Sequence, residues 1–224
     1  MLRHLKRLLP DHEMPMRVWR GPFRGATVVM NPQASLRKAF GLYEHELNAW
    51  LENALGRVRR VIDVGANDGY FTFGCAAALR RRGVAADIIA FEPQDQHVTA
   101  LKAAASEHHD PRIRITIEQS LVGARAQSGM TTLDALDVPD RLTTLIKIDV
   151  EGAELDVVDG AQSWLQPSNL FVIEVHQRSF LAVLAEHFAA RGLELVQIDQ
   201  QPLPLLGRDM RDADNWWLVS KLPR

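Results

Sequence analysis

One cysteine in 224 residues leaves no partner for an internal disulfide, so covalent staples cannot hold this fold. Cys75 stands in the apolar run Phe73-Gly-Cys-Ala-Ala-Ala78 and reads as a small buried hydrophobe on a helix, not as a nucleophile. Long hydrophobic runs are lacking too. No stretch approaches the ~18 apolar residues of a membrane span, and no signal-peptide core follows Met1, so the cytoplasm is the expected compartment. Charge of one sign is missing as well: 26 Lys/Arg against 28 Asp/Glu give a net −2, with no electrostatic reason to expect nucleic acid as the main partner. There is no internal repeat and no low-complexity segment. What remains, 46% hydrophobic and 24% charged, is enough for a sizeable core.

The chain opens on Met1-Leu-Arg-His-Leu-Lys-Arg-Leu-Leu-Pro10, a basic amphipathic segment too short to anchor strongly. At most a weak peripheral membrane contact is expected of it. Met16–Arg20 and Arg24–Met30 read as two short strands about Gly21-Pro22. Phe40, Tyr43, Leu47, Trp50, Leu51 and Leu55 then recur at steps of three and four, which predicts a helix over Leu36–Leu55. From Val61 onward, strands at 61–64, 87–92, 112–117, 145–149 and 170–174 alternate with helices at 71–82, after Pro93, at 155–165 and from 180. Two late strands, 193–198 and 216–219, have no helical pattern between them, only a Pro/Gly loop around 201–207, and suggest an antiparallel hairpin at one edge. The alternation means an α/β fold with a doubly wound sheet. The expected division is an N-terminal cap, residues 1–56, built of the strand pair and a helix, and a ligand-binding domain, residues 57–224.

The most informative stretch is Val61-Ile-Asp-Val-Gly-Ala-Asn-Asp-Gly-Tyr70, followed by Phe91-Glu-Pro93. Val61, Ile62 and Val64 suit a strand covered on both faces. Gly65 and Gly69 let the backbone turn sharply and approach a ligand. Glu92 follows Gly69 by 23 positions, close to the ~20-residue gap at which an acid on the next strand end grips ribose hydroxyls. The turn is Gly-x-Asn-x-Gly, however, and Asn67 replaces the glycine that would admit a pyrophosphate. A nucleoside ligand without a pyrophosphate fits best, with S-adenosyl-L-methionine the leading candidate. A nicotinamide-dependent oxidoreductase is correspondingly disfavoured.

A second block, Lys147-Ile-Asp-Val-Glu-Gly-Ala-Glu154, precedes Gly160 in a helical run, and Ile173-Glu-Val-His176 closes the fifth strand. Together with the first motif, Phe91-Glu-Pro93 and the upstream Gly41-Leu-Tyr-Glu44, these blocks resemble in order the FkbM family of S-adenosylmethionine-dependent methyltransferases. The likeness runs from about Gly41 to His176. It implies a Rossmann-like class I methyltransferase sheet, with which the late hairpin agrees, and O-methylation of a small-molecule or saccharide acceptor. It further implies that Asp63, Gly65, Ala66, Asn67 and Gly69 hold the methionine end of the cofactor. Glu92 would take both ribose hydroxyls, Pro93 would shape the wall beside the adenine, and Gln119 and Ser120 would lie near that ring. Asp149 and Val150 would border the sulfonium and the incoming acceptor.

A sugar hydroxyl is a poor nucleophile, so a base must take its proton as the new bond forms. His176 is the first candidate, since an ordinary pKa of about 6.5 suits the task and it follows a strand end where open α/β sheets bind ligands. The alternative is a loop histidine that only bonds a neighbour. Asp149 is the second candidate base, or the carboxylate that orients the histidine. Asp149, Glu151, Glu154 and Glu174 could instead gather round a divalent cation such as magnesium. For Glu154 and Asp156 the preferred account is simpler, acids favouring a helix dipole, and no metal ligand is assigned. Asp63 and Asp149 each close a buried run where an uncompensated charge is costly, and a cationic ligand is expected to offset them. Lys147, inside a strand, pairs with a neighbouring carboxylate or extends to the sheet edge. A nucleic-acid methyltransferase would carry an Asn/Asp-Pro-Pro-aromatic element where this chain has Asp149-Val-Glu-Gly152, and would show a basic face. A non-catalytic scaffold of the same fold is the rival from another class. The intact turn glycines and strand-end acids speak against it. Acceptor identity and oligomeric state are not legible at this level.

Overall fold

Val61 and Ile62 are consecutive and both fully buried, so the strand that carries them must be covered on its two faces. A computed structural model, which describes residues 9–138, 143–203 and 215–222, shows how. In chain order the front section supplies β1 (Met14–Arg17), β2 (Thr27–Met30), α1 (Pro32–Ala39) and α2 (Asn48–Ala54). Then come β3 (Arg60–Val64), α3 (Tyr70–Arg81), β4 (Ala86–Phe91), α4 (Asp95–Ser106) and β5 (Ile113–Glu118). After the short β6 (Leu121–Val122) and β7 (Met130–Thr131) follow β8 (Thr144–Ile148), α5 (Glu154–Asp159), β9 (Leu170–Val175), α6 (Phe180–Ala189), β10 (Leu195–Ile198) and β11 (Trp216–Ser220).

Seven strands form one sheet in the order β10-β11-β9-β8-β3-β4-β5. Five of them, β9, β8, β3, β4 and the edge strand β5, are parallel, while β11 runs antiparallel to both β9 and β10. Alternate residues feed two cores. Val61, Ile88, Leu145, Val172 and Trp217 pack with α3 and Leu101 of α4 on one face. Ile62, Phe91, Ile146, Phe171 and Leu218 pack with α5, Trp164 and the Leu184 and Phe188 face of α6 on the other. The sheet is therefore doubly wound, and the late antiparallel pair closes one edge as its sequence suggests. Of the consecutive tryptophans, Trp217 is buried in the first core and Trp216 is half-buried. Cys75 is fully buried on α3, where burial pushes its thiol well above the usual range and leaves it inert.

Three departures from periodicity have local causes. The helix expected over Leu36–Leu55 is two helices, α1 and α2, separated by Gly41 at φ +65 and Glu44 at φ +50. A Cβ on Gly41 would fall inside contact distance of the Arg20 carbonyl oxygen, so this backbone crossing requires glycine. Phe40 accordingly ends α1 in solvent and not on a buried face. The helix expected over 155–165 stops at Asp159, and a 3-10 turn at Gln162–Trp164 replaces its second half. Gly160 there lies against the Gly123 carbonyl, where no Cβ fits. Finally, no helix crosses from β5 to β8 among the described residues; the β6/β7 pair and a 3-10 turn at Leu133–Ala135 run there instead. Trp164 Nε1 donates to the Leu133 carbonyl at 2.8 Å and pins that segment to the sheet.

The front section packs on the first core through Val18, Phe23, Val28, Met30 and Leu47, and Trp50 Nε1 donates to Ser220 O at 2.8 Å. The basic segment at 1–8 and most of the Gln201–Asp214 loop lie outside the described residues. Replacement of Gly41 by alanine adds both a left-handed strain and a steric collision with backbone, and should lower stability by about 1–3 kcal/mol. Urea denaturation of the two proteins checks this; a variant as stable as the parent would show that 19–21 and 39–41 are not in contact.

Candidate active site

The chain enters the sheet at β3, works outward through β4 and β5, and returns to β8 and β9 on the other side. That reversal leaves a crevice at the carboxyl ends of β3 and β8, the place where open α/β sheets bind ligands. A cavity of about 550 Å³ occupies it, lined by Gly65, Asn67, Glu92, Pro93, Ser120, Asp149 and Val150, with Leu121, Arg125 and Met130 of the β6/β7 segment on the far wall. A larger hollow of about 850 Å³ lies elsewhere, among the front strands, α3 and α4, and none of the strand-end acids lines it.

The floor of the crevice is the turn after β3. Gly65 has φ +85, and a Cβ there would collide with the Asp149 carbonyl, so β3 and β8 approach more closely than any other residue allows. Asn67, also left-handed, donates its backbone N–H to Glu92 Oε2 at 2.9 Å, and the Gln94 N–H reaches Glu92 Oε1 at 2.9 Å. Glu92 is only 4% exposed, and each of its oxygens keeps a lone pair for a further donor. Gly69 at φ +80 opens α3. Asp68 accepts from the Tyr70 N–H and pairs with Lys38 of α1, whose ammonium lies over the rings of Tyr43 and Tyr70. The front section thus braces the turn.

At the strand tips the structure corrects the expectation that a ligand is what offsets the two buried acids. Lys147 Nζ lies 2.9 Å from Asp149 Oδ2 and 3.5 Å from Asp63 Oδ1, and it is itself buried at 4% exposure. The protein supplies its own counter-charge. Burial works against the Lys147 ammonium, but Asp149, Asp63 and Glu44 outweigh it and hold its pKa above the usual lysine value. Burial also opposes ionisation of Asp149, yet Lys147, Glu174 and His176 hold its pKa below the usual range. Asp63 is fully buried, accepts from Thr72 Oγ1 at 2.5 Å, and stands behind the cavity wall.

A second correction concerns Glu154. Expected only to favour a helix dipole, it is fully buried and its Oε1 lies 2.6 Å from His176 Nδ1, while also accepting from the Gly152 N–H at 2.9 Å. Glu154, and not Asp149, orients the imidazole; Asp149 Oδ1 lies 3.9 Å from the other ring nitrogen, Nε2. The Glu154 hydrogen bond raises the His176 pKa against the effect of burial, with Glu174 and Asp149 adding to it. Burial opposes the Glu154 charge, but His176 and the Gly152 amide hold its pKa down. The four acids suggested around a divalent cation do not gather. Glu151 faces the cavity and Glu154 faces the histidine, while Asp149, Glu174 and His176 bring one ligand atom each within 4.8 Å of one another. Asn215 Nδ2 donates to Glu174 at 3.1 Å.

Ala66, Gly69, Gln119 and His176 do not line the cavity as shaped here. Gln119 is bonded to the Asp95 side chain, and the Ser120 hydroxyl donates to Leu121 O at 2.8 Å. Of the two alternatives for Lys147, pairing with a neighbouring carboxylate is the one observed, whereas the bond from Glu154 to His176 had no counterpart in the sequence reading. The only sign of either was an ionisable residue inside or beside an apolar run.

No family model matches the chain, and no curated protein matches it. Solved structures do. Methyltransferase FkbM from Methylobacillus flagellatus is 20% identical over 74% of this chain and 44% of that one, with a TM-score of 0.58. TYW2 from M. jannaschii, crystallised in complex with AdoMet, is 13% identical over 94% of this chain and 85% of that one, with a TM-score of 0.51. The METTL16 methyltransferase domain is 16% identical over 85% and 77%, also with a TM-score of 0.51. The chain spans less than half the length of the FkbM structure. At these identities the likeness establishes the fold alone, the Rossmann-like α/β sheet that these neighbours share.

Lys147→Met leaves Asp63 buried without its cation and should destabilise by about 3–5 kcal/mol at neutral pH. Unpaired, Asp63 would titrate above its unfolded value of about 3.9, so the deficit is largest at high pH and shrinks as pH falls. Chemical denaturation between about pH 4 and 8 reads the trend, and a deficit independent of pH would remove Lys147 from the role given to it.

Proposed function

We propose that the protein is an S-adenosyl-L-methionine-dependent methyltransferase that methylates a hydroxyl of a small-molecule or saccharide acceptor. One observation carries the reading: a buried carboxylate, Glu92, with one free lone pair on each oxygen, opens on a crevice whose floor is a glycine turn too tight for any Cβ. That is an acceptor pair for the two vicinal hydroxyls of a nucleoside, and Asn67 at the turn is unsuited to a pyrophosphate. The fold and the AdoMet-bound TYW2 structure support the same cofactor. The blocks from Gly41 to His176 that resemble the FkbM family support a hydroxyl acceptor.

The residues present fit such a cofactor. Glu92 would hold the ribose, Pro93 and Ser120 the adenine side, and the Gly65–Gly69 turn the methionine end, with Asp149 and Val150 beside the reacting centre. When bound, the cofactor supplies a methyl carbon already activated by its sulfonium, so alignment provides most of the rate. Asp149, kept ionised by Lys147, favours positive charge at the crevice mouth. His176, fixed by Glu154 through Nδ1, presents Nε2 to take the acceptor proton as the new O–C bond forms. Residues 1–56 act as the cap that braces the cofactor turn, and residues 57–224 as the methyltransferase unit.

Calorimetry with S-adenosylhomocysteine tests the cofactor. Binding should be clear, and Glu92→Ala should weaken it by about 1.5–3 kcal/mol, roughly ten- to a hundredfold. Binding of NAD in its place would overturn the reading. His176→Ala should spare that binding and slow turnover by about 10²–10⁴-fold. Because the His176 pKa is raised, its base form accumulates only as pH climbs, so kcat/KM for the acceptor should rise along a limb above about pH 6.5. Glu154→Gln removes the charge that stabilises the imidazolium and should move that limb to lower pH; an unmoved limb would free His176 of the base role.

A further inference from the structure

Exposed aromatic surface is concentrated at one edge of the front section. Trp19 is 68% exposed and Phe40 49%, the two most exposed large apolar side chains among the described residues. The Trp19 N–H donates to Ala39 O at 2.7 Å, and Gly41 packs against the Arg20 carbonyl, so residues 19–21 run directly alongside 39–41. Trp19 and Phe40 therefore share that edge. Arg17 and Arg20 are exposed beside Trp19, with Val18 buried between, which puts Arg17 and Trp19 on the same side of an extended run. Arg37 precedes Phe40 by one helical turn.

The charge of the whole chain is divided along the same line. The first forty residues hold eight Lys/Arg against two Asp/Glu, and the remainder holds 18 against 26. A net −2 conceals a basic front of +6 on an acidic body of −8.

We infer that this edge docks on an anionic phospholipid surface. Exposed arginines are drawn to acidic headgroups, and a tryptophan beside them settles at headgroup depth, with its ring in the acyl boundary and its N–H in water. The net negative body is repelled by the same surface, which favours approach by the front edge. A basic aromatic edge could also meet RNA. The chain ahead of it favours lipid, because Leu2, Leu5, Leu8 and Leu9 interleave with Arg3, Lys6 and Arg7, and leucines gain from an acyl boundary but nothing from a phosphate backbone. Docking would bear directly on the crevice. The same α1 that ends at Phe40's neighbour Ala39 carries Lys38, which pairs with Asp68 in the glycine turn, and Tyr70 donates its hydroxyl to Lys38 O at 3.3 Å. The docking does not depend on the methyl transfer proposed above.

The full chain should co-sediment with phosphatidylcholine vesicles that contain phosphatidylglycerol, and bind at least about tenfold more weakly to phosphatidylcholine alone or in high salt. A blue shift of tryptophan emission should accompany binding and vanish in Trp19→Phe. The double variant W19S/F40S and the charge reversal R17E/R20E should each reduce binding at least about tenfold at unchanged melting temperature; as exposed substitutions they leave the cores intact. Failure to bind anionic vesicles at low salt would overturn the inference, as would variants that bind like the parent. So would an RNA oligonucleotide that binds through these residues and strips the protein from the vesicles, since the partner would then be nucleic acid.

Discussion

The crevice depends on one buried ammonium. Lys147 lies between Asp63 and Asp149, the acids at the ends of β3 and β8, and without it two carboxylates would face each other across adjoining strands. Their repulsion would act where the chains must come closest, because the Asp149 carbonyl occupies the space that a side chain on Gly65 would need. The Asp149 N–H also donates to Val64 O at 3.0 Å, extending the ladder one step past the strand. Charge, backbone pairing and the missing Cβ therefore act on one contact. The glycine is tolerable there because the lysine holds the strands together, and the lysine can be buried because two acids solvate it.

That arrangement also settles the electrostatics of the ligand side. Lys147 offsets Asp63 and part of the Asp149 charge, and His176 stands with Glu154 and Glu174 nearby. Glu92, Asp149 and Glu151 line the crevice, with Arg125 on the far wall. The far wall differs in origin. It is made by the β6/β7 segment in place of a crossover helix, and Gly160 lets that segment lie directly on the end of α5. The sheet fixes the donor side rigidly, while the side chains of this short segment give the opposite wall its shape.

Much of this was legible in the chain, for a physical reason that also marks the limit. Strands buried on two faces advertise themselves as β-branched runs, and the turns at Gly65 and Gly69 stand out because glycine adopts their left-handed backbone most readily. The breaks at Gly41 and Gly160 did not stand out. Each is imposed by a carbonyl distant in sequence, Arg20 O in one case and Gly123 O in the other, and periodicity is blind to such approaches. The same blindness hid the partner of Lys147. Asp63 is 84 positions away, and only the parallel register that sets it opposite Lys147 makes the pair. A neighbouring carboxylate was one of two readings of Lys147 in the sequence, but which acids it meets depends on the register.

Glu154 shows how magnitudes choose between two accounts of one residue. As the first residue of α5 it could be present to favour the helix dipole, an effect of about 0.3–1 kcal/mol at best. A helix of six residues offers less than that, and the side chain is fully buried. Burying an ionised carboxylate costs several kcal/mol unless it is paired and hydrogen-bonded, so the dipole cannot be what keeps it there. A 2.6 Å bond to His176 and an amide bond from Gly152 are of the required size. The carboxylate is retained for what it does to the histidine: it fixes the ring, selects which nitrogen carries the proton, and leaves Nε2 directed towards Asp149. A histidine that merely filled a loop would need none of this. The buried acid behind it is therefore the strongest structural support for the base role proposed for His176.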